Sequence, residues 1–386
     1  MDAFKGMKLH FVVAAIATLS SVAYAQVRIG VVSSATGPTA FVGVAQKNSV
    51  ALLPKKVGDT TIEYFALDDA SDPTQSVNNV KKLLAEQKID ALIGPSGSPN
   101  AMGVVELMAE AKTPMLAPVG TTAVVLPMDA RKRWVFKTTQ NDNIIADALI
   151  AHMKRSGVKS VAFIGYNDPY GETWYKTVIP MFDKAGIQVV ANERYNRADA
   201  SVTGQVLKLK AAAPDAVFVA GVAAGAALPQ MQLADAGYTG KVYQTHGAAT
   251  DDFIRIGGKK VEGTIMAASL MLVLDQVRDD VPSKKVAAEY VAAYEKLYGN
   301  RPATFGANVY DAGLLLQRAI PEALAKGKPG TPEFRSALRD ALEATHELVA
   351  TQGVYTMSAA DHSGFDQRGR VLLTVRDGKW LLMPEQ

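Results

Sequence analysis

The stretch "ALIGPSGSPNAMGVVELMAEA" (residues 91–111) runs from an apolar strand pattern through glycine and serine into a helical pattern. A loop of this kind can carry a nucleophilic serine, cradle a phosphate or hold a smaller anion. A nucleophile elbow needs the spacing G-x-S-x-G, but Gly97 directly follows Ser96 and so stands one position early. Neither G-x-G-x-x-G nor the P-loop pattern follows a predicted strand. Because these patterns are missing, a smaller anion is the remaining candidate ligand of the loop.

A carboxylate is the anion that this loop suits. Ser98 precedes Pro99, which is typical of an N-cap followed by proline in the first helical turn. Free amides at a helix start can hold a carboxylate together with a hydroxyl. The next apolar strand ends in "APVGTT", which adds the amides around Val119 and the hydroxyl of Thr121. We therefore predict a carboxylate clamp of Ser98, Val119 and Thr121, with simple helix capping by Ser98 as the alternative.

Other groups that could do chemistry are sparse. The sequence has no cysteine, and none of its five histidines is spaced with another His, Asp or Glu as in a metal-binding helix. "DHSGFD" around His362 resembles a calcium loop only faintly and lacks the bidentate glutamate, so we predict a turn there. The sequence therefore predicts neither an enzyme nor a requirement for a cofactor or metal.

Composition and the first residues indicate an exported protein. The 386 residues are 48% hydrophobic and 20% charged, with a formal charge of +3, which indicates about two globular domains and no nucleic-acid-binding surface. Lys5 and Lys8 precede the apolar run "LHFVVAAIATLSSVA", and "AYA" ends at Ala25. This order predicts a signal peptide over residues 1–25 that is cleaved after Ala25. A membrane anchor is the alternative, but the run falls short of the roughly 20 residues that span a bilayer.

The elements that must position the clamp alternate strand and helix from Val27, and the same pattern restarts near Asn141. This predicts an α/β fold of two doubly wound, parallel-sheet lobes that face each other with the carboxyl ends of their strands. Ligands bind beyond those ends, so we expect the site in the cleft between lobes. Several chain crossings would form the hinge, and "GRVLLTVRDGKWLLM" predicts an antiparallel pair around Asp377-Gly378. The predicted lobes are 26–140 plus 268–370 and 141–267 plus 371–386.

The order of "ATGP", "LDDASDPTQSVNNVKKLL", "ALIGPSGS", "MLAPVGTT", "FKTTQND", "YNDPYGET" and "DAVFVAG" resembles the type I periplasmic solute-binding proteins of ATP-driven (ABC) uptake systems. The leucine/isoleucine/valine-binding branch is the most similar, and the resemblance covers residues 27–380. It implies two hinged lobes that close on a small molecule and dock onto a membrane permease. A periplasmic monomer is expected. A sensor of amides or amino acids is the alternative role for the same fold.

The resemblance also implies site residues, position by position. The ligand carboxylate would contact Ser98, Val119 and Thr121, the clamp already predicted. Tyr170 in "NDPYGET" matches a tyrosine that reaches the ligand from the second lobe, and Phe305 in "ATFGANVYDA" matches an aromatic residue of the apolar pocket. Ordinary core packing is the alternative for both. Val42 stands where relatives often have an aromatic residue, for which neighbouring Phe41 can substitute.

Two departures from the family bear on the ligand. Val222 stands where amino-acid binders commonly carry a tyrosine, and His246 lies near the position of the acidic residue that pairs with the α-ammonium. A buried ammonium needs a charge partner, and histidine offers at most one acceptor nitrogen. We therefore expect a carboxylate ligand without an ammonium group, such as a 2-keto or aromatic acid. The alternative is an amino acid whose ammonium group is held by Asp168 or Asp251.

Overall fold

The computed structural model describes residues 26–384, so the predicted signal peptide lies outside the described residues. The strands follow in chain order: β1 (Gln26–Ser33), β2 (Lys56–Val57), β3 (Thr60–Asp68), β4 (Ala91–Ile93), β5 (Met115–Ala117), β6 (Val135–Lys137), β7 (Ser160–Tyr166), β8 (Gln188–Tyr195), β9 (Ala216–Ala220), β10 (Lys241–Gln244), β11 (Ile265–Ala268), β12 (Leu348–Val349), β13 (Val354–Tyr355), β14 (Val371–Arg376) and β15 (Lys379–Leu382).

Eleven α-helices connect or cover these strands in the described part of the chain. In chain order they are α1 (Ala40–Ser49), α2 (Pro73–Lys82), α3 (Ser98–Glu110), α4 (Asp142–Arg155), α5 (Pro169–Lys184), α6 (Thr203–Ala211), α7 (Ala223–Asp235), α8 (Asp251–Gly257), α9 (Pro282–Tyr298), α10 (Thr304–Leu324) and α11 (Pro332–Glu343). Within residues 26–384, none of them combines the length and the hydropathy that crossing a membrane requires.

Two main sheets repeat one topology, which confirms the predicted fold class. The first has the order β2-β3-β1-β4-β5-β6 and the second β15-β14-β11-β10-β9-β7-β8. The parallel strands β1, β3, β4, β5 and β6 of the first sheet correspond to β7, β8, β9, β10 and β11 of the second, so each sheet is doubly wound in the same order. We call the units around these sheets the first and the second lobe. Within these two sheets, antiparallel strands lie at the edges, as β2 and as the predicted β14–β15 pair, and β12 and β13 form a separate antiparallel pair.

Capping residues fix where several helices begin beyond these strands. Asp72 accepts hydrogen bonds from the first-turn amides of α2, and Asp168 does the same for α5. Each is followed by a proline, whose fixed φ suits the first helical turn. The Asp168 carboxylate accepts from the amide of Tyr170 at 2.8 Å. This cap sets the start of α5, and with it the position of Tyr170 at the end of β7.

The chain passes between the lobes after β6, after β11 and before β14, in agreement with the predicted multi-crossing hinge. Buried residues of α10 and α11 pack on the first sheet. In contrast, α9 packs with buried residues of the second sheet, and Tyr294 and Tyr290 on it also bond to Asn48 and Ser49 of α1. Since α9 contacts both lobes, the assignment of residues 268–298 to the first lobe stays a prediction.

Candidate functional site

A cavity lies between the two lobes, at the carboxyl ends of both sets of parallel strands. Loops that follow β1, β4, β5 and β6 line it from the first lobe, and loops that follow β7, β9, β10 and β11 line it from the second. Seven of the nine predicted site residues contribute to its wall: Val42, Ser98, Val119, Tyr170, Val222, His246 and Phe305. The other two, Phe41 and Thr121, are not part of the wall.

Ser98 reaches the cavity from the first turn of α3. The cap position is Gly97, not Ser98 as predicted from the sequence, and no side chain caps the helix. Ser98 is therefore the first helical residue, and its buried hydroxyl is not used for capping. The first amides of a helix have no partner within the helix. This arrangement leaves them for an anion in the cavity.

Thr121 forms a contact between the two lobes. Its hydroxyl lies 2.7 Å from the Thr173 hydroxyl and 3.3 Å from the Pro169 carbonyl oxygen, both on the second lobe, and it also accepts from the amide of Ala123. The side chain is completely buried. Because these three partners occupy the hydroxyl, Thr121 joins the lobes beside the cavity. The predicted contact of Thr121 with the ligand stays a prediction.

Phe41 does not substitute for Val42. Its ring packs edge-on against Phe305, with 6.3 Å between ring centroids. It faces a separate surface pocket, which Asp251 also lines. Val42, which follows it on α1, is the residue that reaches the cavity. Phe41 therefore supports the apolar wall from behind through Phe305.

The second lobe contributes Tyr170, Val222 and His246. The Tyr170 hydroxyl lies 2.8 Å from the Thr245 hydroxyl, and burial raises the pKa of Tyr170, so this phenol stays neutral. Val222 is the cap residue of α7 and presents an aliphatic surface where a tyrosine hydroxyl was expected in amino-acid binders. His246 is only 9% exposed. Among the described residues, neither of its ring nitrogens has a hydrogen-bond partner.

His246 is neutral in this environment. Burial, assisted by the positive charge of Lys137, lowers its pKa to about 3. Lys137 is itself buried, and its ammonium group donates to the carbonyl oxygens of Thr139 at 3.1 Å and of Gln140. Burial raises the pKa of the nearby Asp142 carboxyl, while the charge of Lys137 opposes this shift. The neutral imidazole thus offers one donor and one acceptor to the cavity.

Sequence reasoning missed Arg197, the charged side chain of the cavity wall. Its Nε donates to Asp168 at 2.6 Å, and the guanidinium group lies 4.4 Å from the centroid of the Tyr166 ring. Arg197 lines both the cavity and a polar groove outside it, to which Gly97 also contributes. The position directly after β8 was the available signal, since β8 ends at the same sheet edge as β7.

The electrostatics of the wall favour an anion. No Asp or Glu of residues 26–384 lines the cavity. Helices α1, α3, α7 and α10 all begin at it without a side-chain cap. A helix N-terminus carries a partial positive charge. Four such termini and Arg197 therefore surround the space between the lobes.

The carboxylates that could have served an ammonium lie elsewhere. Asp168 lines the outer groove rather than the cavity, and its oxygens already accept from the α5 amides and from Arg197. Asp251 is exposed at the surface pocket beside Phe41. In the described residues, no group of three or more His, Cys, Asp or Glu side chains is placed to hold a metal ion. His362 forms part of a turn and bonds to the Val135 carbonyl oxygen.

Comparison with known proteins places this architecture in a family. The sequence profile of the periplasmic binding proteins matches residues 26–379, and the chain belongs to that family. An extracellular ligand-binding receptor from Rhodopseudomonas palustris HaA2 is 44% identical, with a TM-score of 0.89 over 93% of this chain and 100% of that chain.

Named relatives at lower identity include amino-acid binders. The Leu/Ile/Val-binding protein homolog 3 of Brucella melitensis is 26% identical over 366 residues, which cover 91% of this chain and 93% of the relative. The branched-chain amino acid transporter substrate binding protein LivJ from Streptococcus pneumoniae, solved in complex with isoleucine, is 18% identical. Its TM-score of 0.76 over 93% of this chain and 99% of that one shows the shared fold. The family resemblance predicted from the sequence is confirmed.

Proposed function

We propose that the protein is the periplasmic substrate-binding component of an ABC uptake system and that it closes on a small, largely apolar carboxylate. The family, the two lobes of like topology and the cavity between them support a binding role. Ser98, Val119 and the uncapped start of α3 hold the carboxylate. The protein then delivers its ligand to the membrane permease as a monomer and without catalysis.

The ligand in this proposal lacks an α-ammonium group. The observation that carries it is the absence of Asp and Glu from the cavity wall of residues 26–384, together with a buried, neutral His246. An ammonium group would be buried without a charge partner and close to four helix N-termini, which is costly. A 2-keto oxygen would instead accept from the His246 N–H. A 2-keto or aromatic acid therefore fits the wall better than an amino acid does.

A branched-chain or aromatic amino acid is the second candidate ligand. It is favoured by relatives that are named as Leu/Ile/Val-binding proteins and match most of this chain. In that case backbone carbonyl oxygens and the acceptor nitrogen of His246 would have to hold the ammonium. The two candidates differ in one functional group, so a single substitution can separate them.

The substitution His246→Glu tests the proposal. It places a carboxylate in the cavity wall at the position of His246, where it repels a keto acid and pairs with an ammonium group. Isothermal titration should show 4-methyl-2-oxopentanoate binding at least about tenfold more weakly and leucine more tightly, since a charged hydrogen bond contributes roughly 1.5–3 kcal/mol. His346→Glu, the same change at an exposed position, is the control. Micromolar leucine binding by the unmodified protein without keto-acid binding would overturn the proposal.

A further inference from the structure

Two hydroxyl groups in the cavity wall have no partner and are not used by the carboxylate clamp. Ser269 is 2% exposed and Thr304 is 7% exposed, and neither hydroxyl oxygen has a hydrogen-bond partner within residues 26–384. Both residues line the cavity between the lobes. Buried hydroxyls are normally hydrogen-bonded because leaving them unpaired is costly. A polar group of a ligand would satisfy both.

The strand order places Ser269 at one end of the cavity. Tyr170, His246 and Ser269 follow β7, β10 and β11, and the second sheet has the order β11-β10-β9-β7. Since neighbouring strands lie about 4.8 Å apart, the ends of β7 and β11 are roughly 14 Å apart. Tyr170 contacts the loop after β5 at Gly120, next to Val119 of the clamp. The same position at Gly120 is also close to Nε2 of His246, which follows β10. The carboxylate end therefore lies between the ends of β7 and β10, and Ser269 lies beyond it, at the end of β11.

Thr304 lies at this same distal end. Met271 and Leu272, which closely follow Ser269, share a surface pocket with Ala303, the residue before Thr304. Thr304 is also the first residue of α10, a helix of 21 residues whose start has no side-chain cap. The Gly306 amide already donates to the Ala303 carbonyl oxygen, but the amides of Thr304 and Phe305 and the two hydroxyls can donate hydrogen bonds to a ligand. The surroundings suit an acceptor oxygen.

We infer that Ser269, Thr304 and the start of α10 form a second polar subsite and that the ligand carries an oxygen-bearing group at the end remote from its carboxylate. This inference rests on the proposed function, because it assumes that the cavity holds an organic acid. It goes beyond that function by specifying a bifunctional ligand. The apolar middle of the ligand would lie between the two polar ends, against Val42, Val222 and Phe305.

Matched acids test the subsite in the intact mature protein. Phenylpyruvate is compared with 3-hydroxyphenylpyruvate and 4-hydroxyphenylpyruvate, and 4-methyl-2-oxopentanoate with 2-oxoglutarate, by isothermal titration. At least one oxygen-bearing acid should bind about three- to tenfold more tightly than its partner, the range expected for a net hydrogen bond. Ser269→Ala and Thr304→Val should each reduce this ratio towards one while the bare acids keep their affinity.

The control is Thr345→Val, which removes another buried hydroxyl without a partner, but outside the cavity. It should leave the ratio unchanged. Equal binding of bare and oxygen-bearing acids, unaffected by the variants, would overturn the subsite and leave the proposed function intact. If no acid of either kind binds, the proposed function fails instead.

Acids released from the purified protein by denaturation provide a second readout, by mass spectrometry. The subsite predicts an acid with an oxygen remote from the carboxylate. A released acid whose remote end is only hydrocarbon would contradict it.

Discussion

At the scale of single residues, His246 defines what the cavity can recognise. It lies between Trp174, whose ring centroid is 5.6 Å away, and the backbone at Gly120. Because it is buried without a hydrogen-bond partner in the described chain, protonating it would create an uncompensated charge. The low pKa follows directly from this position, and so does the lack of attraction for an ammonium group.

This position gives His246 a measurable effect on stability. Its pKa of about 3 in the folded protein lies below the ordinary value of 6.5, so the unfolded chain binds the proton first as the pH falls. The neutral form of His246 therefore contributes its full stabilisation above about pH 6.5, and this stabilisation is lost as the pH falls towards 3. With saturating 4-methyl-2-oxopentanoate to keep the lobes closed, the unmodified protein should lose roughly 3 kcal/mol more unfolding free energy between pH 7 and pH 4 than His246→Gln does.

Urea unfolding at the two pH values measures this difference. His346→Gln, a change at an exposed histidine, should behave as the unmodified protein does. An identical pH dependence in the unmodified protein and His246→Gln would mean that His246 is accessible and not buried as described.

At the scale of elements, the loop after β5 forms a close contact between the lobes. A Cβ added at Gly120 would lie 2.6 Å from Cε2 of Tyr170 and 3.2 Å from Nε2 of His246, both on the second lobe. The next residue, Thr121, bonds to Thr173 across the same contact. The loop therefore needs a residue without a side chain at Gly120 for the lobes to come together.

Gly120→Ala should weaken ligand binding at least about tenfold, because the added methyl group blocks closure, which the ligand needs for contacts with both lobes. The unfolding free energy of the ligand-free protein should change little, since an open cleft has room for the methyl group. Gly103→Ala on α3 is the control, because its Cβ would approach nothing closer than 3.7 Å. Unchanged affinity in Gly120→Ala would show that the lobes do not close as far as in this structure.

Many elements could be predicted from the sequence, but orientation within the site could not. The sequence indicated the β14–β15 pair and the short buried strands β4 and β5, whereas β6 and β10 each include a lysine and lie among polar residues, so that no clear apolar run marks them. The loops of the clamp were located because strand ends in such sheets converge. Thr121 and Phe41 do not line the cavity in this structure, since hydroxyl partners and ring packing depend on segments distant in sequence.

At the scale of the whole molecule, closure couples the cavity to the shape of the protein. Thr121 and Thr173 form a contact between lobes that does not line the cavity. Thr121→Val should therefore leave the ligand contacts intact and weaken closure, so about fivefold more ligand is needed for the same compaction. Small-angle scattering at increasing concentrations of 4-methyl-2-oxopentanoate measures this compaction as the decrease in radius of gyration.

Thr113→Val is the matched control, because the Thr113 hydroxyl bonds within its own lobe to the Ala111 carbonyl oxygen. It should compact at the same concentration as the unmodified protein. A radius of gyration that does not respond to ligand in the unmodified protein would contradict the hinged closure.

The most direct measurement is a paired titration of leucine, isoleucine, valine and phenylalanine against their 2-keto counterparts. The members of each pair share a side chain and a carboxylate and differ in the ammonium group, which the cavity wall of residues 26–384 does not pair with an acidic side chain. We predict that at least one keto acid binds more tightly than its amino acid. Micromolar binding of the amino acids with no binding of the keto acids would contradict the account.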